Sequence, residues 1–350
     1  MDKKVLLGMS GGVDSSASAI LLQQMGYNVI GCTMNLLEEE NKEAIIDAKK
    51  VCKKLGIEHH VIDCREEFKC YVIQNFIEEY KNARTPNPCV VCNKNIKFGL
   101  FAQKAKELGC EYIATGHYAK TEYSEKYGQK VIRKSNEEKK DQTYFLYSIP
   151  KDVIEKVIFP LQNNESKDDT RNLAQEAGLE VAKKKDSQEI CFIKDNDYKN
   201  FLLKQGSVSS KKGNIVLKSG EILGKHQGII NYTIGQRKGL GVSYKEPLYV
   251  IDIDKSKNEV IVGEEKALYN SDLKANNINW LIDVKGNELE VFAKIRYRAK
   301  EAKAQVKIID ENNVEVYFEE PQRAITKGQS VVFYDDTGVL LGGGIIVDKM

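Results

Sequence analysis

Two periodicities of apolar residues alternate along the first half of the chain. Short uninterrupted apolar runs such as Val5-Leu6-Leu7 indicate buried strands, whereas Lys42–Leu55 places its apolar residues three and four apart, as on one face of a helix. Glycines follow several of the helical segments, where a helix commonly ends. The pattern predicts the strands Val5–Leu7, Asn28–Met34, His59–Asp63 and Tyr112–Gly116, and the helices Ala17–Met25, Lys42–Leu55, Glu66–Tyr80, Asn93–Leu108, Asp141–Tyr147 and Ser166–Gly178.

This order of strands and helices predicts an α/β fold, a doubly wound parallel sheet with helices on both faces. In such sheets, ligands bind beyond the carboxyl ends of the strands. Three segments fall at those ends: the glycine-rich Ser10–Ser16, Met34 and Thr115-Gly116-His117. We therefore expect these segments to share one site.

The pattern changes after about Gly206. Turn signals such as Lys218-Ser219-Gly220 and Glu311-Asn312-Asn313 then separate short alternating segments such as Val314–Phe318 and Ser330–Tyr334. This predicts a small central domain followed by a C-terminal β-barrel. The expected domains are 1–205 (catalytic), 206–273 (central) and 274–350 (barrel).

Composition narrows the class of protein. The 350 residues carry a net charge of only +2, which excludes a polycationic tail but not a local basic face. No apolar run approaches the roughly 18 residues of a membrane span, and Met1–Lys4 leads directly into the first strand, which does not fit a signal peptide. Eight cysteines scattered along a long chain favour a reducing cytosol, so we expect a cytoplasmic protein without a membrane partner.

The first chemical feature is Ser10-Gly11-Gly12-Val13-Asp14-Ser15-Ser16, between a predicted strand and a predicted helix. Glycines let the backbone approach an anion closely, and the positive end of the helix then faces that anion. The segment lacks the lysine of the common P-loop. It resembles instead the pyrophosphate loop (PP-loop) of ATP pyrophosphatases, which release pyrophosphate and leave AMP on an acceptor.

The second feature is Arg84–Lys94, which contains Pro86, Pro88 and the pair Cys89 and Cys92. We expect the following helix to begin after Cys89, capped by Cys92 or Asn93, with the helix dipole lowering the thiol pKa. The C-x-x-C spacing alone fits half a zinc site, a redox pair or an iron–sulfur site. Cys191 is the other candidate thiol. Five more are expected to be packing residues: Cys32, Cys52, Cys64, Cys70 and Cys110.

Eight segments together resemble the tRNA-specific 2-thiouridylases of bacteria and mitochondria. They are Ser10–Ser16, Thr85–Pro88, Cys92–Lys94, Thr115–Ala119, Asp141–Leu146, Ile190–Ile193, Tyr232–Gly239 and Ile295–Arg298. The resemblance covers nearly the whole chain. It implies ATP-dependent replacement of the C2 oxygen of the wobble uridine in the Lys, Glu and Gln tRNAs by sulfur, with ATP and Mg²⁺ as cofactors.

The resemblance also implies roles for individual residues. Cys92 would be the nucleophile and Cys191 the persulfide carrier. The nucleotide would lie against Gly8, Met9, Ser10, Gly11, Gly12, Val13, Asp14, Ser15, Met34 and Gly116. RNA would contact Asn87, Pro88, Cys89, His117, Lys140, Asp141, Gln142, Arg296, Tyr297 and Gln329, the first three of them at the target base. The implied partners are the anticodon stem-loop of tRNA and a sulfur donor such as a cysteine desulfurase or a sulfur relay protein.

The chain departs from the family at Cys89, where an aspartate is usual. Cys89, Cys92 and Cys191 are enough thiols for three irons of a four-iron, four-sulfur cluster, so sulfur could arrive on such a cluster or as a Cys191 persulfide. Two other classes remain open at this stage. One is another PP-loop pyrophosphatase, or a tRNA thiolase acting on a different base. The other is a non-catalytic RNA- or metal-binding protein, which would leave the PP-loop unexplained.

Overall fold

The computed structural model describes residues 3–38, 42–137, 139–164, 166–184, 190–205 and 211–350. Its N-terminal part is built on five parallel strands in the order β3-β2-β1-β4-β7, with a separate antiparallel hairpin of β5 and β6. This confirms the predicted α/β class. The strands are β1 Lys4–Gly8, β2 Asn28–Asn35, β3 Glu58–Asp63, β4 Tyr112–Ala114, β5 Lys120–Ser124, β6 Gln129–Arg133 and β7 Val157–Ile158.

Among the described residues, six helices other than short 3₁₀ turns accompany these strands, two of them with a central π-helical segment. They are α1 Val13–Gln24, α2 Lys42–Leu55, α3 (Arg65–Glu67, then Phe68–Ile73 as π-helix, then Gln74–Lys81), α4 (Pro88–Cys92, then Asn93–Leu100 as π-helix, then Phe101–Glu107), α5 Lys167–Glu176 and α6 Tyr198–Lys204. The capping box predicted at the start of α5 is present: Asp169 N–H donates to Ser166 Oγ, and Ser166 N–H donates to the Asp169 carboxylate.

The structure differs from the prediction at one expected helix and at one hairpin that was not expected. The helix predicted over Asp141–Tyr147 is only a 3₁₀ turn, Thr143–Phe145, because the hydroxyls of this segment bond to the barrel instead of leaving the chain free to coil. The hairpin of β5 and β6 was not predicted. Its strands are short and mostly polar, and β6 is fixed from outside by contacts with Leu281 and Val339 of the barrel.

The strand order places the predicted site. The chain winds outward on one side through β2 and β3 and on the other through β4 and β7. The carboxyl ends of β1 and β4 therefore flank the point where the winding reverses, and the crevice at such a point is where ligands bind in open α/β sheets. Ser10–Ser16 follows β1 and Thr115–His117 follows β4.

The second half is all β apart from short 3₁₀ turns in the described residues. A four-stranded sheet, ordered β10-β11-β8-β9, forms the central part, and six strands close into a barrel in the order β12-β15-β14-β13-β16-β17. The strand β12 runs across the predicted boundary at 273/274, and the predicted boundary at 205/206 touches residues outside the described part. The strands are β8 Gly213–Leu217, β9 Ile222–His226, β10 Tyr249–Asp254, β11 Glu259–Gly263, β12 Tyr269–Trp280, β13 Glu288–Lys294, β14 Ala302–Ile308, β15 Asn313–Arg323, β16 Ser330–Tyr334 and β17 Leu340–Asp348.

The barrel packs directly on the N-terminal domain. One buried apolar cluster joins Phe98 and Phe101 of α4 to Val332, Tyr334 and Leu340 of the barrel. Burial of such large side chains is the main favourable term in domain association. The barrel is thus fixed against the helix that carries Cys89 and Cys92.

Across the described ranges, no helix is both long and apolar enough to cross a membrane.

Candidate active site: a phosphate loop and three thiols

The loop after β1 has the geometry of an anion site. Helix α1 begins at Val13 rather than at Ala17, with the extended Gly12 as its N-cap and no side chain capping it. The first N–H groups of α1 are therefore not used by a cap, and they carry the positive end of the helix dipole. Met9 and Val13 bury their side chains in the core, so only their main chains face this loop.

Two glycines of the site have steric reasons to be glycine. Gly11 has φ of +70°, and a Cβ there would lie 2.5 Å from the carbonyl oxygen of Ala44 in α2. A Cβ on Gly116 would lie 3.1 Å from the backbone of both Asp14 and Ser15. The loop after β4 thus touches the loop after β1 at backbone distance, and any side chain at Gly116 would move it away from the start of α1.

Asp14 is held by two side chains that the sequence did not reveal. Its Oδ1 accepts hydrogen bonds from Lys167 Nζ at 2.5 Å and from Tyr118 Oη at 3.0 Å. The Lys167 side chain is 13% exposed and that of Asp14 is 33% exposed, so the pair is partly shielded from solvent. Lys167 is the first residue of α5, far away in sequence, and no local pattern links it to the loop.

The thiols Cys89 and Cys92 lie at the start of α4. The expectation that the helix begins after Cys89 was wrong: it begins at Pro88, with Asn87 as its N-cap, because a proline at the first helical position lacks only an N–H that would be unpaired anyway. Cys89 is exposed and Cys92 is buried. The helix therefore directs one thiol outwards and the other inwards.

The structure brings Cys191 to this pair. Cys92 belongs to the same apolar cluster as Ile190 and Phe192, which flank Cys191. The Phe192 ring anchors the segment against Phe76 and Phe201, at 5.3 Å from each. Residues 186–189 of the same predicted motif lie outside the described residues. All three cysteines carry free thiols.

The pKa values of Cys89 and Cys92 are raised, whereas their place at the start of a helix led us to expect lowered values. Burial raises the pKa of Cys92 to about 11. Cys191 and Cys89 keep part of their surface exposed, but protein atoms packed around them replace much of the surrounding water. This desolvation, together with the neighbouring Cys92 and Cys89, raises the pKa of Cys191 to about 12, and desolvation also raises the pKa of Cys89. Removal from water disfavours the charged thiolate, and it is the largest cause of each of these three shifts.

Lys97 is the group that opposes this effect, and sequence reasoning missed it. Its charge lowers the pKa of Cys89, Cys92 and Cys191. Lys97 follows Cys92 by five residues inside the π-helical segment. Residues five apart lie next to each other on a π-helix but not on an α-helix. A search of the sequence at α-helical spacing therefore does not pair Cys92 with Lys97.

His117 connects the two halves of the site. It directly follows Gly116, is buried, and shares a 2.8 Å hydrogen bond between its Nδ1 and Thr115 Oγ1. Its ring lies 6.0 Å from that of Phe98 on α4. Burial, with the charge of Lys97, lowers its pKa well below the usual value, so it is neutral at pH 7.

The three thiols do not form a ready metal site. Within the described ranges, no group of three or more His, Cys, Asp or Glu side chains is arranged to hold a metal ion. The side chains of Cys89 and Cys92 point to different environments, as their exposure shows. An iron–sulfur cluster on Cys89, Cys92 and Cys191 therefore stays a prediction from the sequence.

Several expected RNA contacts are engaged inside the protein. Asp141 is buried and accepts hydrogen bonds from Ser135 N and Thr143 Oγ1. The Gln142 side chain accepts from Tyr118 N at 2.9 Å. Asp141 and Gln142 thus have structural partners inside the protein, and their contact with RNA stays a prediction.

Arg296, Tyr297 and Gln329 also have internal partners. Arg296 Nη2 donates to Ile234 O and Ala324 O, each at 3.0 Å, and to Thr326 Oγ1. The Tyr297 ring lies 4.5 Å from that of Phe145. Gln329 Nε2 donates to Thr85 O at 2.8 Å. Exposed cations of the described residues include Lys94, Arg237, Lys238, Arg298, Lys300 and Lys303. The last three belong to the basic run that begins at Arg296 and that by itself could support RNA binding.

The remaining predicted positions agree in part with expectation. Met34 is half-buried, and its Cε would lie 3.7 Å from a Cβ on Gly8. Pro88 is buried, Asn87 is half-buried and Lys140 is half-buried. Four of the five cysteines expected to pack in the core are buried, but Cys70 is exposed.

Comparison with known proteins gives the family. Three family models match in succession: a tRNA methyl transferase HUP domain over residues 3–195, a tRNA methyl transferase PRC-barrel domain over 199–264 and an aminomethyltransferase beta-barrel domain over 270–346. The tRNA-specific 2-thiouridylase MnmA of Clostridioides difficile is 47% identical over 99% of this chain and 98% of its own length. That of Clostridium acetobutylicum is 48% identical over 99% of this chain and 100% of its own.

Among solved structures, a predicted subunit of tRNA methyltransferase from Methanocaldococcus jannaschii aligns with a TM-score of 0.31 at 22% identity, over 49% of this chain and 75% of that one. The full-length sequence relatives decide the assignment. On their identity and coverage, the chain belongs to the tRNA-specific 2-thiouridylase family.

Proposed function

We propose that this protein uses ATP to replace the C2 oxygen of the wobble uridine of tRNA(Lys), tRNA(Glu) and tRNA(Gln) by sulfur, releasing AMP and pyrophosphate. Membership of the family makes it a tRNA-uridine 2-sulfurtransferase. The observation that carries the proposal is the identity of 47–48% along the whole chain. The targets, the nucleotide step and the sulfur route are the proposed parts.

The first step needs an activated oxygen, because the uracil C2 carbonyl is a poor electrophile. Its oxygen attacks the α-phosphate of ATP, forms an O–P bond and expels pyrophosphate. The start of α1 supplies N–H groups for an anionic phosphate chain, and Gly116 has no side chain that would crowd this start. Asp14 would hold Mg²⁺, which neutralises phosphate charge when bound, and Lys167 supplies a cation at the same place.

The second step transfers sulfur. The terminal sulfur of a Cys191 persulfide attacks C2 and displaces AMP. Cys92 loses its proton and attacks Sγ of Cys191, which breaks the S–S bond, leaves the outer sulfur on C2 and forms a Cys92–Cys191 disulfide. A two-electron dithiol reductant then restores both thiols. The shared apolar cluster of Cys92 and the residues flanking Cys191 supports this pairing.

Protonation sets a condition on this step. With a pKa of about 11, Cys92 is protonated at neutral pH, so its attack requires removal of the proton in the complex. Lys97 favours the thiolate over the thiol, and it acts on Cys191 in the same way. We assign Lys97 the electrostatic stabilisation of the sulfur anions formed at these two residues.

A tRNA and a sulfur donor complete the reaction. The anticodon loop is single-stranded, so its wobble base leaves the stack at the lowest cost. The donor is a cysteine desulfurase or a sulfur relay protein that loads Cys191, whose exposure makes it reachable. We propose the cytoplasm as the place of this reaction.

The test compares four single variants of protein prepared without oxygen: Cys89→Ser, Cys92→Ser, Cys191→Ser and, as a control, Cys70→Ser, another exposed free thiol. Pyrophosphate, AMP, 2-thiouridine and iron are measured with unmodified tRNA, ATP and a persulfide donor. The wild type should release pyrophosphate only with tRNA. Cys92→Ser and Cys191→Ser should lose thiolation, whereas Cys89→Ser and Cys70→Ser should keep most of it.

The outcomes separate the alternatives. No tRNA-dependent pyrophosphate release would contradict the adenylation step, and sulfur found at a different base would reassign the substrate. Turnover that requires bound iron, is lost in Cys89→Ser, and never produces a Cys92–Cys191 bridge would contradict the persulfide route and support a cluster.

A further inference from the structure

A turn of the barrel lies against the loop that leads into the cysteine helix. The turn comprises Ala324–Gln329, between β15 and β16, and is called here the barrel turn. Gln329 Nε2 donates to Thr85 O at 2.8 Å and lies 3.4 Å from Pro86 O, and Thr85 N donates to Lys327 O at 2.8 Å. Thr85 is thus bonded through both its N–H and its carbonyl to one turn of another domain.

The approach is close enough to require a glycine. Gly328 has φ of +88°, and a Cβ there would lie 2.9 Å from Thr85 N and 3.0 Å from Thr85 O. It would also lie 2.9 Å from Arg84 Cβ. The loop and the turn therefore meet backbone to backbone, with no space for adjustment between them.

The barrel turn is itself fixed from two other sides. Arg296 Nη2 binds Ala324 O and Thr326 Oγ1 together with Ile234 O of the central domain. Gly328 N donates to Ile346 O of β17 at 2.9 Å. The turn is the place where the central domain, the barrel and the loop before α4 are joined.

The position of Thr85 is transmitted to Cys89 over a stiff segment. Pro86 and Pro88 each fix their φ angle, and both are buried. Asn87 is the N-cap of α4, and Cys89 is its second residue. A displacement of Thr85 therefore moves the beginning of the helix and the exposed thiol, because the intervening residues have little freedom to absorb it.

We propose that the barrel turn positions the beginning of the cysteine helix for sulfur transfer, with Gln329 as a positioning residue. The amide of Gln329 holds Thr85 and Pro86 instead of meeting RNA as its primary role. The proposal rests on the proposed function for its effect on thiolation, but its effect on thiol reactivity is independent of that function.

The test uses Gln329→Met in the full-length protein, which keeps the side-chain length and removes the donor. The control is Gln322→Met, which removes a 2.8 Å bond from Gln322 Nε2 to Glu320 O on the same barrel. Alkylation of Cys89 and Cys191 by iodoacetamide is followed by mass spectrometry without RNA. Single-turnover thiolation at saturating tRNA and the Kd for tRNA are measured in parallel.

We expect Gln329→Met to change the alkylation rate of Cys89 several-fold and to lower the single-turnover rate about tenfold or more, since a misplacement of about 1 Å can cost about a hundredfold in rate. Cys191 alkylation and the Kd for tRNA should stay near wild type, and Gln322→Met should match wild type throughout. Gly328→Ala should act in the same direction. If Gly328→Ala does not fold, the result for Gln329→Met tests the proposal by itself.

Three results would overturn the proposal. One is a Cys89 alkylation rate within twofold of wild type in Gln329→Met. Another is a thiolation defect that disappears at saturating tRNA, which would make Gln329 an RNA contact. The third is altered Cys89 reactivity with an unchanged single-turnover rate. A wild-type protein that thiolates no tRNA would instead contradict the proposed function, and the alkylation result would still stand.

Discussion

Arg296 and Arg298 lie two residues apart in one loop of the barrel, and the structure predicts opposite consequences of removing them. The Arg296 guanidinium is bonded to three internal acceptors, whereas Arg298 is exposed. We expect Arg296→Ala to destabilise the protein and Arg298→Ala to weaken tRNA binding. This prediction is an alternative to the expectation from sequence that Arg296 is one of the RNA contacts.

The loss in free energy of unfolding expected for Arg296→Ala follows from the contacts of the Arg296 side chain. Hydrogen bonds to charged groups contribute about 1.5–3 kcal/mol each, and a buried acceptor left unpaired costs about 1–3 kcal/mol. Ala324 O keeps a 2.8 Å bond from Thr326 Oγ1 after the substitution, so Ile234 O bears the main loss. Removing the guanidinium also recovers its own desolvation cost, which is visible in its lowered pKa. We expect a net loss of about 2–4 kcal/mol.

The assay uses the protein's single tryptophan, Trp280, which lies in β12 and stacks on Phe333 at 5.4 Å. Its fluorescence in urea reports unfolding of the barrel. With a slope of about 2–3 kcal/mol per molar urea, the midpoint of Arg296→Ala should fall by about 1 M or somewhat more. Arg298→Ala should stay within about 0.5 kcal/mol of wild type, as exposed substitutions do.

Binding of tRNA is tested by measuring the Kd of the wild type and of both variants at several salt concentrations. Arg298→Ala removes a cation that we expect to pair with an RNA phosphate, so this variant should bind tRNA more weakly and with a salt slope reduced by about one. Arg296→Ala should keep the slope in folded protein. The reasoning is refuted if Arg296→Ala unfolds at the wild-type urea concentration and shows the reduced slope.

Two further predictions concern titrating groups. Lys97→Met should raise the thiol pKa values and shift the pH dependence of Cys191 alkylation to higher pH. Lys97→Arg keeps the positive charge and should stay near wild type. An unshifted pH profile in Lys97→Met would contradict the electrostatic role assigned to Lys97. His117 has a folded pKa below its unfolded value, so the unfolded chain binds the proton first; the stabilising contribution is full above about pH 6.5 and is lost as the pH falls. His117→Gln should therefore lose less thermal stability than wild type between pH 7 and pH 5, and an equal loss in both would show that burial of His117 has no such effect.

The sequence determined the features that depend on neighbours in the chain. The alternation of apolar runs and amphipathic segments predicted the parallel sheet, and Lys42–Leu55 is helical over the predicted residues. The capping box at Ser166 and the strand Ser330–Tyr334 were also predictable, because capping and strand alternation act within a few residues. The order of the motifs was sufficient to suggest the family.

Local rules failed where a distant partner decided the outcome. Asp141–Tyr147 has helical spacing, but its hydroxyls bond to the barrel, and the segment forms only a short 3₁₀ turn. The thiol at the start of α4 has a local reason for a lowered pKa, yet burial by other elements raises it. Desolvation depends on everything packed around a group, so it cannot be inferred from the helix alone.

Tertiary structure alone decided which groups meet. The pairs Lys167 with Asp14 and Gln329 with Thr85 are separated by 153 and 244 residues, and no periodicity extends over such distances. The sequence supplied the chemistry of the PP-loop and the thiols. Packing of α5 brought the charge of Lys167 to Asp14, and packing of the barrel brought Gln329 to Thr85. Only the tertiary structure could decide these pairs, because hydrogen bonds and Coulomb interactions act over a few ångströms in space and not along the chain.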